Sequence, residues 1–432
     1  MTGAVGEHPL FSDDELGALF SAQAELDAMV VVEAALARVS ADLGIIPVEA
    51  GQAIAVALAG FVPDAAALVP ETRASGVVVP PLVKALRAAV GSPHGDYVHR
   101  GATSQDIIDT ALILRLREAV ACIGGRLDAL IAGLADAAER YADTPMAART
   151  RSQSAVPTSF GLRIAGWLAP LLRCRARLVG MRPRLLVVQM GGAAGTLGVF
   201  GDRGAAVMAG MADALDLERP LKPWHSERDS VAEFAGFLSL LSGCLGKMAG
   251  DMILMGRSES GELRAGQGGG SSTMPQKANP VLAEAITAIA RFNAGQVGSI
   301  YQAMLHAEER DGAAWALEWM ALPSMVVATG AALSHAVMLA DDMVPDADRM
   351  RAMLGDDTRA EVVAFALAAH MPLADAQAIV KLASRDDAPL LDAVERRSGI
   401  TLDRVALKDA RATLGTARSM IAQVVTAARE KS

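Results

Sequence analysis

The sequence predicts an all-α protein, and three observations carry that expectation. Of its 432 residues, 52% are hydrophobic but only 4% are aromatic. Strands favour β-branched and aromatic residues, whereas the Ala, Leu and Met abundant here favour helix. Apolar positions recur at helical spacing in long stretches between residues 106 and 345, with few breakers. Capping signals stand at the heads of such stretches. A chain of this length exceeds one ordinary core. The expected organisation is an N-terminal helical domain over 1–105, a central long-helix bundle over 106–345 and a small C-terminal helical domain over 346–432.

In chain order, Ser12-Asp13-Asp14-Glu15 reads as a capping box. It opens a helix through Leu26, Met29, Val30, Glu33 and Leu36, which Gly44 and Pro47 end. Shorter helices and a proline-rich turn at Val79-Pro80-Pro81 follow. Thr103-Ser104-Gln105-Asp106 is a second capping signal, heading a helix with Ile107, Thr110, Ala111, Leu114 and Ala119. Long apolar segments then alternate with loops at 143–158, 181–195, 220–228 and 260–280. Asn279 suits a helix cap and Pro280 a first helical position. Helices this long hide their faces by bundling or oligomerising. Residues 321–340 carry no formal charge and could span a bilayer by length. Their Pro323, Ser324, Thr329, Gly330, Ser334 and His335 fit a helix buried inside a bundle instead. Pro345 marks a boundary, beyond which Pro372 and Pro389 separate short helices.

Composition excludes several function classes. A formal charge of −9 without a basic tail argues against nucleic acid as a partner, though local cations still allow an anionic substrate. Cys122, Cys174 and Cys244 are remote in sequence and sit in apolar contexts. Reduced, buried thiols in a cytoplasmic protein are expected, with no export signal at the start of the chain. The seven histidines are scattered, and no metal-ligand spacing occurs. The glycines of Met190–Thr196 lack a dinucleotide fingerprint and read as a tight turn or close approach. No Gly-x-Ser-x-Gly elbow is present. Neither a metal nor an organic cofactor is expected, and no membrane partner.

Four polar segments interrupt the apolar pattern. The first places His99, Arg100, Thr103 and Ser104 before a helix. The second is Arg149-Thr150-Arg151-Ser152-Gln153-Ser154. The third is the glycine-serine loop Gly268–Pro280, with Ser271, Lys277 and Asn279. Its mobile backbone and the following helix N-terminus suit a carboxylate. The fourth is His306–Asp311, containing Arg310, for which a charged helix face is the plain alternative. Together they offer cations and hydroxyls to grip carboxylates, and a serine to move a proton next to one.

Gly270-Ser-Ser-Thr-Met-Pro-Gln-Lys-Ala-Asn-Pro280 resembles the signature loop of the fumarase/aspartase superfamily. Gly101–Asp106 and Arg149–Gln153 resemble its first and second shared regions, in the same order. The resemblance implies three helical domains, a homotetramer with a twenty-helix core, and active sites built from several subunits. It implies that Ser271 transfers the proton. Lys277 and Asn279 then bind the carboxylate beside the reacting carbon, and Thr103 and Ser104 hold another. His99, Arg100, Arg149, Arg151, Gln153 and Arg310 are further contacts. Arg182–Leu197, Pro223–Asp229 and the segment with Trp315 and Trp319 resemble the muconate-lactonising cycloisomerases of aromatic catabolism, with adenylosuccinate lyase the nearest rival. Lyases of the superfamily place His after the second-region Thr, whereas Arg151 follows Thr150 here. A lyase must protonate a poor leaving group. In the reverse of lactonisation the leaving group is a carboxylate with pKa near 4, which needs no acid.

Overall fold

The computed structural model describes residues 8–266, 268–270, 274, 277–409 and 413–430. Seventeen α-helices lie among them, and the few strands are short. The first helical region holds α1 (Asp14–Leu19), α2 (Ala22–Asp42), α3 (Val48–Leu58), α4 (Ala65–Ser75) and α5 (Val79–Val90). Long helices follow: α6 (Ser104–Arg140), α7 (Phe160–Leu185), α9 (Asp229–Met255), α10 (Val281–Ala303) and α11 (Gly312–Asp341), with α8 (Gly204–Leu215) before α9. Strands β1 (Pro145–Thr150) and β2 (Gln153–Ser159) form a hairpin. Strands β3 (Leu263–Arg264) and β6 (Val344–Pro345) pair, as do β4 (Gly269–Gly270) and β5 (Ala278–Asn279). The chain ends in α12 (Ala347–Ala352), α13 (Ala360–Leu367), α14 (Leu373–Ala383), α15 (Leu390–Ser398), α16 (Arg404–Lys408) and α17 (Ala417–Arg429).

Two compact units emerge, and every boundary between them falls inside a long helix. One contains residues up to Arg126, Ala176–Gly243 and Ala288–Leu333. Its core joins Met29, Leu36 and Leu82 to Ile107, Val188, Phe200 and Met211, with Trp315 closing it. A buried amide ties α9, α10 and α11 within this unit: Asn293 Nδ2 donates to Ser242 Oγ at 2.7 Å and to Thr329 Oγ1 at 2.9 Å. The other contains Leu127–Arg175, Cys244–Thr287 and the chain from Ser334. Within it, α13–α15 enclose their own cluster of Val363, Leu367, Val380, Leu391 and Val394.

Local departures from the expected elements have identifiable causes. The first helix is broken, because Asp13, not Ser12, accepts from Leu16 N at 2.9 Å. Ser21 then starts α2 by accepting from Ala24 N at 3.2 Å. Val79-Pro80-Pro81 is no turn but the first turn of α5, where proline has no helical N–H to lose. Residues 145–159 pair as a hairpin instead of a loop. Asn279 belongs to β5, and the Pro280 carbonyl accepts from Glu284 N at 2.9 Å, so the cap position falls on the proline. Residues 306–311 form no charged helix face. They are a loop whose Asp311 carboxylate accepts from Ala313 N, Ala314 N and Ala307 N, capping α11. Cys174 and Cys244, remote in sequence, bring their sulfurs to 4.0 Å. Helices α9 and α11 are both long and apolar enough to cross a membrane, and α11 is mostly buried within the protein.

Candidate functional site

Thr103 and Ser104 stand at the head of α6 because two features force the preceding chain to turn. Gly101 has φ +77°, and a Cβ there would lie 2.4 Å from Phe200 Cζ. His99 has φ +64°, a conformation few non-glycine residues hold. The capping signal is then completed in reverse: Thr103 N donates to Asp106 Oδ2 at 3.0 Å. The same buried carboxylate accepts from Gly191 N at 2.8 Å, Gly192 N at 2.9 Å and His225 Nε2 at 2.7 Å. The glycines of 190–196 are therefore a tight turn gripped by Asp106, with Gly192 at φ +69° and Gly195 at φ +80°.

Arg310 holds this arrangement from the loop before α11. It donates Nε to Gln105 Oε1 at 3.0 Å, Nη1 to Thr103 Oγ1 at 3.0 Å and Nη2 to Ala193 O at 3.1 Å. Its guanidinium thus has internal work beside any ligand. His99 Nδ1 meets Glu33 Oε1 at 2.6 Å. Ser104 is half-buried at the first turn of α6, and exposed Arg100 lies 5.9 Å over the Tyr97 ring.

Below these groups lies an ionic core that sequence reading did not assemble. Arg228, wholly buried, donates Nη1 to Asp109 at 2.6 Å and Nε to Glu318 at 2.8 Å, with its guanidinium 4.8 Å from the Trp224 ring. Trp315 Nε1 and Gln105 Nε2 also donate to Asp109, each at 3.1 Å. Burial opposes the Arg228 charge, yet Asp109 and Glu318 together outweigh it and hold the guanidinium above its ordinary value. Burial likewise pushes the Glu318 carboxyl up, against the pull of Arg228. Both ring nitrogens of His306 are buried without a hydrogen-bond partner among the described residues. Burial first, and then Arg228, hold its pKa below the ordinary histidine value.

The second unit carries the remaining predicted residues. At the hairpin tip, Thr150 pairs with Gln153, and both intervening residues have positive φ, Arg151 at +50° and Ser152 at +65°. This is the backbone of a type I′ turn, and it leaves Arg151, Gln153 and Ser154 exposed. Arg149 instead points to Glu262, donating Nη1 to Oε2 at 2.7 Å, while the buried Oε1 has no partner among the described residues. The glycine-serine loop is closed at its base, with Gly269 opposite Asn279 and Gly270 opposite Ala278. Gly268, at φ +69°, could take no Cβ, since it would lie 2.8 Å from the Ala278 Cβ. A cleft of about 1040 Å³ opens beside this base, lined by Lys277, Asn279, Arg257 and Arg264, with Glu259 and Asp346 among its acids. Lys277 is exposed and Asn279 half-buried. Ser271, the expected proton carrier, lies outside the described residues.

Sequence reading missed Glu33, Asp106, Asp109, His225 and Arg228 as members of this polar assembly. A signal existed for Glu33, which falls on the apolar stripe of α2 where a carboxylate has no ordinary place. Arg228 and His225 lie in Pro223–Asp229, a segment that carries the resemblance but supplied no expected site residue.

Comparison with known proteins gives consistent relatives. A family model described as lyase matches residues 11–295. The chain is 43% identical over 360 residues to the 3-carboxy-cis,cis-muconate cycloisomerase of Pseudomonas aeruginosa, covering 81% of this chain and 78% of that protein. It is similar to the crystal structure of the 3-carboxy-cis,cis-muconate lactonizing enzyme from Pseudomonas putida, with TM-score 0.90, 36% identity and coverage of 97% and 98%. The crystal structure of a fumarate lyase from Mesorhizobium sp. BNC1 matches with TM-score 0.91, 38% identity and coverage of 97% and 99%.

Proposed function

The chain belongs to the lyase family, and from that membership we propose that it is a 3-carboxy-cis,cis-muconate cycloisomerase. It converts 3-carboxy-cis,cis-muconate to 4-carboxymuconolactone in the protocatechuate branch of aromatic degradation. It acts in the cytoplasm as a homotetramer whose protomers share their sites, on a small tricarboxylate and without a cofactor. One observation carries the choice within the family: Arg151, exposed at the hairpin tip, stands where a lyase needs a histidine acid.

In the reaction, one carboxylate oxygen of the substrate adds to a carbon of the conjugated diene, forming the lactone C–O bond. The π electrons move onto the carbon beside a second carboxylate, which takes up the charge as an aci-carboxylate. Lys277 and Asn279 stabilise that dianion, the largest lever available in such a site. Ser271 supplies the proton that forms the C–H bond, and solvent replaces it. A carboxylate anion has become a neutral ester, so each turnover takes up one proton. No group departs in either direction except a carboxylate, stable as its anion with pKa near 4. The reaction therefore asks for extra cations, such as Arg149 and Arg151, more than for a second acid. His99, Thr103 and Ser104 hold the remaining carboxylates.

Lactonisation destroys the conjugated diene, so ultraviolet absorbance of 3-carboxymuconate falls on adding enzyme, with one proton consumed per product. Steady absorbance together with fumarate release from adenylosuccinate would overturn the proposal in favour of a fumarate-releasing lyase. That rival is supported by the likeness to the Mesorhizobium fumarate lyase. Ser271→Ala should lower kcat roughly 10²- to 10⁴-fold, the span of general acid–base catalysis. A fully active variant would remove Ser271 from its role.

A further inference from the structure

Glu33 sits on α2 between Val30 and Leu36, both buried, and is itself 1% exposed. Its Oε2 is buried without a hydrogen-bond partner among the described residues. Its Oε1 lies 2.6 Å from His99 Nδ1, the short length of a charge-assisted bond. A carboxylate withdrawn from water with one oxygen unpaired is costly to keep, which implies that the bond to His99 has a use. His99 itself is held at φ +64°. Backbone strain of this kind persists only where the surroundings impose it, and it gathers at ligand clamps. The imidazole is 16% exposed, and its Nε2 has no partner among the described residues. It stands five positions before α6, at whose N-terminus Thr103 and Ser104 sit.

We propose that Glu33 is a positioning residue that acts through His99. It accepts the Nδ1–H, fixing which ring nitrogen carries that proton and which way the ring faces. Nε2 is thereby presented to a carboxylate of the substrate. In the complex the ring takes up a second proton from solvent, lies between two carboxylates as the imidazolium and donates to both, Nδ1–H to Glu33 and Nε2–H to the ligand. Glu33 thus sets the affinity for a polyanionic substrate from a position the substrate never touches. The inference rests on the tricarboxylate substrate proposed above.

The test compares wild type, Glu33→Gln, His99→Gln and the double variant by steady-state kinetics with 3-carboxymuconate, with circular dichroism to confirm folding. Glutamine keeps the shape and an accepting oxygen but not the charge. Glu33→Gln should raise KM about 10- to 100-fold with kcat nearly unchanged, the loss expected when a charge-assisted hydrogen bond weakens. Glu33→Asp should recover part of it. In the His99→Gln background, Glu33→Gln should add nothing. A wild-type KM in Glu33→Gln overturns the proposal, as do effects that add fully in the double variant. If wild type fails to lactonise, the substrate reading is wrong. In that case, or if Glu33→Gln does not fold, nitrogen-15 NMR of histidine-labelled wild type carries the test. A protonated Nδ1 on His99 in the free enzyme supports the pair, and a bare Nδ1 overturns it.

Discussion

Gly101 shows how a single residue can be fixed by two constraints at once. Its φ of +77° disfavours any L side chain, and its Cβ would meet Phe200 at 2.4 Å. Gly101→Ala should destabilise the protein by about 1–3 kcal/mol, measured by chemical denaturation, and a variant as stable as wild type would deny both constraints. His306 carries the clearest pH signature. Burial and Arg228 depress its pKa, so below the ordinary value of about 6.5 the unfolded chain binds more protons than the folded one. The stability it contributes is intact above that pH and declines as the solution is acidified. His306→Leu should therefore lose less melting temperature between pH 7 and pH 5.5 than wild type does; equal losses would show that His306 is not the titrating group. Single residues were legible as local polar breaks in the apolar pattern, as Thr103, Ser104, Arg149 and Lys277 are. Their partners were not, because the Glu33–His99 contact spans 66 positions and His225–Asp106 spans 119, and no periodicity encodes a long-range hydrogen bond.

Helices were the most legible elements, since apolar spacing marks their faces over many turns. What spacing could not locate was where they stop and start. Asp13 and Ser21 both offer cap oxygens eight residues apart in the same apolar run, and the chain uses both, making two helices where one was expected. The hairpin was hidden for a different reason: its turn residues are Arg151 and Ser152, not the Asn-Gly pair that announces a type I′ turn. At the N-terminal ends of α6, α9 and α11, the Asp109–Arg228–Glu318 ion set joins three elements in a site sealed from water. Such a set is weak evidence of net stability, yet removing one partner strands the others. Arg228→Met should cost about 3–5 kcal/mol by leaving two buried carboxylates without their cation. The measurement is a denaturant midpoint, and a loss under 1 kcal/mol would mean that the carboxylates protonate or find water.

At the scale of the whole molecule, the predicted site residues are divided between the two units. His99, Arg100, Thr103, Ser104 and Arg310 belong to one, and Arg149, Arg151, Gln153, Lys277 and Asn279 to the other. The long helices also leave apolar residues in solvent: Val179 on α7 at 49% exposure, Leu240 on α9 at 53% and Met320 on α11 at 73%. Apolar residues exposed along packed helices mark an association surface when they are contiguous. A groove of about 680 Å³ sets the exposed Leu240 and Tyr301 beside Val297, with Arg177, Arg184 and Glu233 on its walls. These observations support the proposed homotetramer, in which subunits would cover the helices and lend residues to each other's sites. Leu240→Glu places a charge in that surface without touching any predicted site residue. By light scattering the variant should run as a smaller species, keep its helical circular dichroism and lose turnover in proportion to the tetramer lost. A dissociated variant that still lactonises at the wild-type rate would show that one protomer holds a complete site, and the shared-site proposal would have to be abandoned.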